Sequence, residues 1–169
     1  MLRPDFPKEG VDKLAMFAQR MGERAAKAKL EQIAATAREH GLEFAPGQKA
    51  GNSVEAHRLL LWAKGCGKEA ELLEAIYKAY NCEAKWVGDR EVLLEVAARV
   101  PGLDVQAARA FLVDEASGMD ELQKGLSRGR ALADGGVPTI VVNGRALPSG
   151  AHAASDLVRV FNHVASAEE

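Results

Sequence analysis

Apolar residues recur every three to four positions along most of the chain, which is the period of amphipathic helices. Between about residues 11 and 40 they form one face, Lys, Arg and Glu fill the other, and Gly41 ends the stretch. Shorter stretches of the same period follow, and two of them begin with a helix-capping residue, Asp89 and Asp104. Together with a last amphipathic stretch near the end of the chain, the pattern predicts a mostly helical protein with six to seven helices.

The pattern changes after Gly136, where a short β-branched and apolar run begins. Residues 137–142 are typical of a strand, Asn143-Gly144 is a type I′ hairpin signal, and residues 145–148 supply a short return strand. A strand of this composition is normally covered on both faces, and a lone two-stranded hairpin is marginal in water. Because the sequence predicts no other strands, we expect another protein chain or a second copy to complete the sheet.

The composition is that of a soluble globular protein, with 47% hydrophobic and 27% charged residues. The net charge is -2, and Lys and Arg alternate with Glu along the helices, so the chain lacks the basic surface of a nucleic-acid-binding protein. No apolar run approaches the roughly 20 residues that span a bilayer, and the first residues lack the apolar core of a secretion signal. We therefore expect a cytoplasmic protein, or an organellar one if a targeting segment precedes Met1, without membrane insertion.

The two cysteines, Cys66 and Cys82, have neither the spacing of a Cys-x-x-Cys redox pair nor that of zinc ligands. Each is predicted to lie just outside one end of the same helix. About 15 residues at 1.5 Å rise separate them by roughly 20 Å, whereas a disulfide requires Cα atoms within about 7 Å. The sequence therefore predicts two free thiols that cannot bridge each other.

His57 and Arg58 are the polar residues of the helical region whose side chains are best suited to contact a substrate. Imidazole can exchange protons near neutral pH and a guanidinium can hold a carboxylate, which would suit substrate contact. Both residues also lie in the first turns of a predicted helix beside Leu59 and Leu60, a position that favours a packing or hydrogen-bonding role over substrate contact. The sequence contains no catalytic triad order, phosphate loop, dinucleotide fingerprint or metal-binding cluster, and predicts no cofactor.

Several stretches, taken together in this order and spacing, resemble the FrnE-type branch of the DsbA-like thiol:disulfide oxidoreductases. They are Arg-Pro-Asp-Phe-Pro-Lys-Glu-Gly (3–10), Asn-Ser-Val-Glu-Ala-His-Arg-Leu-Leu (52–60), Ala-Tyr (79–80), Gly-Asp-Arg-Glu-Val-Leu (88–93), Gly-Val-Pro-Thr (136–139), Asn-Gly (143–144) and Ser-Gly-Ala (149–151). The resemblance extends over nearly the whole chain.

This resemblance implies an α/β thioredoxin-like fold that is incomplete in this chain. Residues 1–134 would hold a helical opening segment and an insertion domain, and residues 135–169 the C-terminal hairpin and helix of the thioredoxin-like part. The family places Cys-x-x-Cys at the start of its first helix, where the helix dipole lowers the pKa of the attacking thiol. That unit is not in the sequence. Val137-Pro138 matches the loop that faces the redox motif and contacts substrate, and the resemblance implies a cis bond there.

Three functions agree with this resemblance. The first is part of a thiol:disulfide oxidoreductase that exchanges thiolates through mixed disulfides and is redox-inactive without its Cys-x-x-Cys segment. Its thiol or peptide substrate would contact Val137, Pro138, His57 and Arg58. The second is a non-catalytic accessory or structural subunit of a larger assembly. The third is a glutathione-using transferase or isomerase relative, which needs no cysteine pair.

Overall fold

The computed structural model describes residues 6–133 and 136–166, and within them the chain forms eight helices and four short strands. In chain order these are β1 (Val11–Asp12), α1 (Lys13–Met21), α2 (Glu23–Glu39), β2 (Lys49–Ala50), α3 (Val54–Gly65), α4 (Glu69–Cys82), α5 (Arg90–Ala97), α6 (Val105–Val113), α7 (Met119–Leu132), β3 (Val141–Val142), β4 (Arg145–Ala146) and α8 (Ala154–Ser166). The expectation of a mostly helical thioredoxin-like chain with one hairpin is confirmed.

Contacts along the chain define two compact units, Met1–Leu122 and Gln123–Glu169, with the division inside α7. We call them the first and the second unit. The domain boundary that the sequence predicts, between residues 134 and 135, lies outside the described residues and stays a prediction.

The first unit is organised around a core formed by α3, α4, α5 and α6. Its buried members are mostly small and branched aliphatic residues at helical spacing: Ala56, Leu59, Ala63, Leu72, Ile76, Ala79, Val87, Leu93, Leu94, Val96, Ala97, Val100, Ala108 and Leu112. The predicted caps of α5 and α6 are confirmed, since Asp89 accepts hydrogen bonds from the amides of residues 91 and 92 and Asp104 from those of residues 106 and 107.

The prediction of one helix through residues 11–40 is wrong, and this accounts for the extra helix. Gly22 adopts a positive φ of 84°, a conformation that glycine reaches without steric cost, and it ends α1 and begins α2. The two helices pack against each other. Val11 and Asp12, which the pattern also assigned to the helix, instead form β1, and the Asp12 side chain caps α1 by accepting from the Ala15 amide at 2.7 Å.

A second strand pair, which the sequence did not predict, joins the start of the chain to the segment before α3. Val11 pairs with Ala50 and Asp12 with Lys49 in an antiparallel ladder. Trp86 stabilises this arrangement, because its Nε1 donates a hydrogen bond to the Lys8 carbonyl at 2.8 Å. Its ring lies so close to the backbone that a Cβ on Gly88 would come within 2.5 Å of it.

In the second unit, β3 and β4 form the predicted hairpin, with Val141 opposite Ala146 and Val142 opposite Arg145. Asn143 and Gly144 have positive φ angles of 45° and 78°, the requirement of a type I′ turn. The strand is shorter than predicted, because residues 137–139 form no ladder pair and Ile140 contributes only its carbonyl, which accepts from the Leu147 amide. Val141 is 40% exposed in this single chain, and the cover of the strand by another chain stays a prediction.

None of the helices within residues 6–133 and 136–166 combines the length and the apolar character that crossing a bilayer requires.

Candidate functional site

The loop formed by residues 136–139, which we call the Pro138 loop, is held in place by two hydrogen bonds. The Thr139 hydroxyl donates to the Gly136 carbonyl at 2.6 Å, and the Gly150 amide donates to the Pro138 carbonyl at 2.9 Å. Gly136 has a φ of 114°, and a Cβ at this position would lie 3.1 Å from the Ser149 hydroxyl oxygen. The Val137–Pro138 peptide bond, for which the resemblance implied the cis form, is cis in the structure.

Val137 is the most open residue of the Pro138 loop, and its side chain is 66% exposed. Within the described part of the chain, its backbone N–H and C=O take part in no hydrogen bond. Both groups are therefore left to water or to an incoming molecule. An extended peptide offers the complementary carbonyl and amide, so the loop can form backbone hydrogen bonds with such a segment.

The outer edge of β3 continues this open backbone. The Leu147 amide donates to the Ile140 carbonyl at 2.8 Å, which marks these two residues as a hydrogen-bonded pair. In an antiparallel ladder hydrogen-bonded and non-hydrogen-bonded pairs alternate, so Val141 and Ala146 form a non-hydrogen-bonded pair. The N–H and C=O of Val141 consequently point away from β4, towards the edge where a further strand would add.

Arg58 lies in the first unit, and its side chain is only 1% exposed. It donates to both carboxylate oxygens of Glu55 at 3.0 and 3.1 Å and to the Ser117 carbonyl at 2.9 Å. The remaining N–H groups reach the carbonyls at the end of α6, those of Phe111 at 3.1 Å, Leu112 at 3.5 Å and Asp114.

Because every N–H of the Arg58 guanidinium has an acceptor, none is left for a substrate. The geometry therefore favours the structural alternative for this residue. A cation at the end of a helix also balances the negative end of the helix dipole, so Arg58 acts as a cap that reaches α6 from α3.

His57 precedes Arg58 in α3 and, unlike it, is exposed. Its Nδ1 lies 2.8 Å from the Ser53 carbonyl, which can only accept, so Nδ1 carries the proton. No partner of Nε2 is found among the described residues. His57 lines a cavity of about 490 Å³ together with the aromatic rings of Tyr77, Tyr80 and Trp86. Burial raises the pKa of Tyr80.

The two thiols are free, as predicted. Cys66 is exposed and lies in the turn between α3 and α4, where it caps the end of α3, while Cys82 is half-buried and is the last residue of α4. The helix between them therefore separates the two sulfur atoms. Within residues 6–133 and 136–166, no three His, Cys, Asp or Glu side chains are grouped so that they could hold a metal ion.

The four residues singled out from the sequence thus fall into two places. Val137 and Pro138 belong to the second unit and form an exposed loop, whereas His57 and Arg58 belong to the first unit. Sequence reasoning missed the cavity beside His57, because the cavity is formed by residues that are distant in sequence.

The comparisons with known proteins agree with this architecture. The family model of the DSBA-like thioredoxin domain matches residues 3–161. The crystal structure of a probable DsbA oxidoreductase from Streptomyces coelicolor is similar, with a TM-score of 0.85 and 28% sequence identity over 95% of this chain and 70% of that chain. No curated protein matches the chain significantly. The chain belongs to the family of DSBA-like thioredoxin domains.

Proposed function

We propose that this chain is the substrate-holding part of a thiol:disulfide oxidoreductase of the FrnE-type branch. In this proposal the Pro138 loop binds an extended peptide next to the reacting sulfur atoms. The observation that carries the proposal is the exposed Val137, whose backbone N–H and C=O have no partner among the described residues while the loop around it is braced by hydrogen bonds. A braced loop with open backbone groups binds a strand without having to order itself first.

The sulfur chemistry itself is assigned to a Cys-x-x-Cys pair outside these 169 residues, because the sequence contains only Cys66 and Cys82. Exchange requires an attacking thiolate, which forms a mixed disulfide with the substrate, and a second thiol that resolves it. Two cysteines on either side of a helical segment cannot do both steps on one substrate molecule. The chain alone is therefore redox-inactive beyond the level of an ordinary free thiol.

A titration followed by NMR tests the substrate loop. The amide of Val137 is observed while a reduced hexapeptide with one central cysteine and apolar neighbours is added. We expect the signals of Val137 and Val141 to shift, and we expect N-methylation of the central peptide bond to abolish the shift. Equal shifts with the methylated peptide, or no shift at millimolar peptide, would contradict the proposed role of the loop.

An insulin-reduction assay tests the redox proposal. Neither the chain nor its Cys66→Ser and Cys82→Ser variants should exceed the rate of a simple monothiol at the same concentration of thiol groups. Multiple turnovers that disappear on substituting either cysteine would identify these two as a redox pair and refute the proposal. Retention of the chain on immobilised glutathione would instead favour the glutathione-using alternative.

We further propose that a strand from another chain or a second copy adds to β3. The outward N–H and C=O of Val141 are the backbone groups that such a strand needs. On α8, which follows the hairpin in the sequence, the exposed Val158 and Phe161 provide an apolar face. The Val141→Pro variant removes the outward N–H but no hydrogen bond of the hairpin. Sedimentation equilibrium should show weaker association for this variant than for the parent chain, and a parent chain that is monomeric at all concentrations would exclude the second copy.

A further inference from the structure

A groove in the first unit, lined by residues of α1, α3 and α4 and by the segments around β1 and β2, has the properties of a ligand site. It includes Phe6, Arg20, His57, Tyr77 and Trp86, and we call it the His57 groove. Its volume of about 490 Å³ lies within the range of sites that hold small molecules or a few side chains. None of the described residues that line it is acidic, and Arg20 is the one residue among them that carries a permanent charge.

Arg20 is the charged group without a partner. Its side chain is exposed at the end of α1, and it forms no hydrogen bond or ion pair with any residue that the structure describes. A guanidinium carries five N–H donors in a planar fork that matches a carboxylate in two hydrogen bonds. An anionic group that enters the groove therefore meets a donor set that is not occupied by the protein itself.

The other polar groups of the groove narrow the choice of ligand. The Trp86 Nε1 donates to the Lys8 carbonyl and the Tyr80 hydroxyl donates to the Lys49 carbonyl at 2.7 Å, so these rings present apolar surface. The Nε2 of His57, by contrast, is an acceptor while the ring is neutral, because Nδ1 holds the proton. The groove thus combines aromatic surface, one carboxylate-binding fork and one acceptor for an N–H.

We propose that the His57 groove binds a peptide segment that presents a large apolar side chain next to a carboxylate. The apolar side chain lies on the aromatic walls, Arg20 holds the carboxylate, and His57 accepts a backbone N–H. A simple organic acid would satisfy Arg20 but not His57, which is the reason to choose a peptide. Peptide binding in the His57 groove requires no redox chemistry, so its test does not depend on the proposed oxidoreductase role.

Calorimetric titration of the whole chain with the unlabelled peptide Ac-Gly-Phe-Asp-Phe-Gly-NH2 tests the inference. We expect saturable binding, a loss of at least tenfold in affinity when the aspartate is replaced by asparagine, and a similar loss when both phenylalanines are replaced by alanine. Hydrogen bonds to charged groups contribute enough for such a change. The Arg20→Gln variant should lose the preference for aspartate over asparagine, and His57→Phe should weaken both peptides.

Arg24→Gln is the matched control, because Arg24 is also exposed and lies nearby in sequence on α2 but does not line the groove. It should bind all peptides like the parent chain. Equal effects of the Arg20 and Arg24 substitutions would mean that only general electrostatic attraction is at work and would overturn the inference. Binding of 3-phenylpropionate as tight as that of the peptide would also overturn it, in favour of a small-molecule site.

Discussion

Replacing Arg58 by methionine gives the sharpest test of how the first unit is held together. Methionine fills a similar length with an apolar chain, so the change removes the charge and the five donors with little change in volume. What remains is the Glu55 carboxylate, 22% exposed, and the carbonyls of Phe111, Asp114 and Ser117 without their common donor. The end of α6 loses its cap at the same time.

The magnitude follows from burial. Removing one partner of a buried ion pair typically costs about 3–5 kcal/mol, because the other charge stays in place without compensation. Glu55 keeps one ion pair, with Arg90 at 2.8 Å, which places the expected loss near the lower end, about 3 kcal/mol. Since whole domains are stable by only about 5–15 kcal/mol, this single change should remove a large fraction of the total.

Urea denaturation followed by ellipticity at 222 nm measures the effect. Arg109→Met is the matched control, because Arg109 forms an equally good two-point pair with Glu91, at 2.6 and 2.8 Å, but both side chains are exposed. The control should cost little stability, because solvent and salt screen an ion pair between exposed side chains. If Arg58→Met were as stable as the control variant, the carbonyls at the end of α6 would not depend on the guanidinium and the reasoning would fail.

Three further outcomes are expected. Gly88→Ala should strongly lower the midpoint temperature of thermal unfolding, because the new Cβ would come within 2.5 Å of the Trp86 ring. Gly65→Ala should leave that temperature equal to or above that of the parent chain, because nothing lies within 4 Å of a Cβ at that position. The hydrogen bond from Arg99 lowers the pKa of Glu83, so the pair should add slightly to the free energy of unfolding at pH values above the ordinary carboxyl pKa. This contribution should disappear as the pH falls through the lowered pKa, and Glu83→Gln should flatten the pH dependence of the free energy of unfolding in that range. Hydrogen exchange should be slow in α3 to α6 and fast in α8, none of whose residues is buried; protection of α8 equal to that of α4 would contradict this.

The helices of the first unit could be predicted because local signals and burial agree there. The apolar residues of α4 recur at helical spacing and become core, and Asp89 and Asp104 cap the helices that they precede. Gly22 shows the limit of this reasoning. An isolated glycine inside an amphipathic pattern is tolerated in many helices, and only the packing of α1 against α2 selects the positive φ that divides them.

The roles of individual polar and aromatic side chains were harder to predict, because their surroundings depend on distant segments. The sequence pattern predicts an exposed cation at the start of a helix for Arg58, but the carbonyls that it contacts lie more than 50 residues further along the chain. Nothing local indicates that α6 would end against it. Trp86 is similar, since its indole N–H binds a carbonyl 78 residues earlier. Such contacts are set by tertiary packing and leave no periodic signal.

The two units differ in how much apolar surface they bury, and the second, less buried unit carries the Pro138 loop. All the buried apolar residues of the described chain belong to the first unit, ending with Leu122 in α7. In the second unit α8 has a well-defined apolar face, yet Val158 and Phe161 are 54% and 51% exposed. A hairpin and one helix bury too little apolar surface to offset the entropy of ordering them. A strand that adds to β3 and an apolar cover for α8 would supply that missing burial, so a partner of this kind would stabilise the second unit as a whole, while the local geometry of the Pro138 loop is set by its own hydrogen bonds.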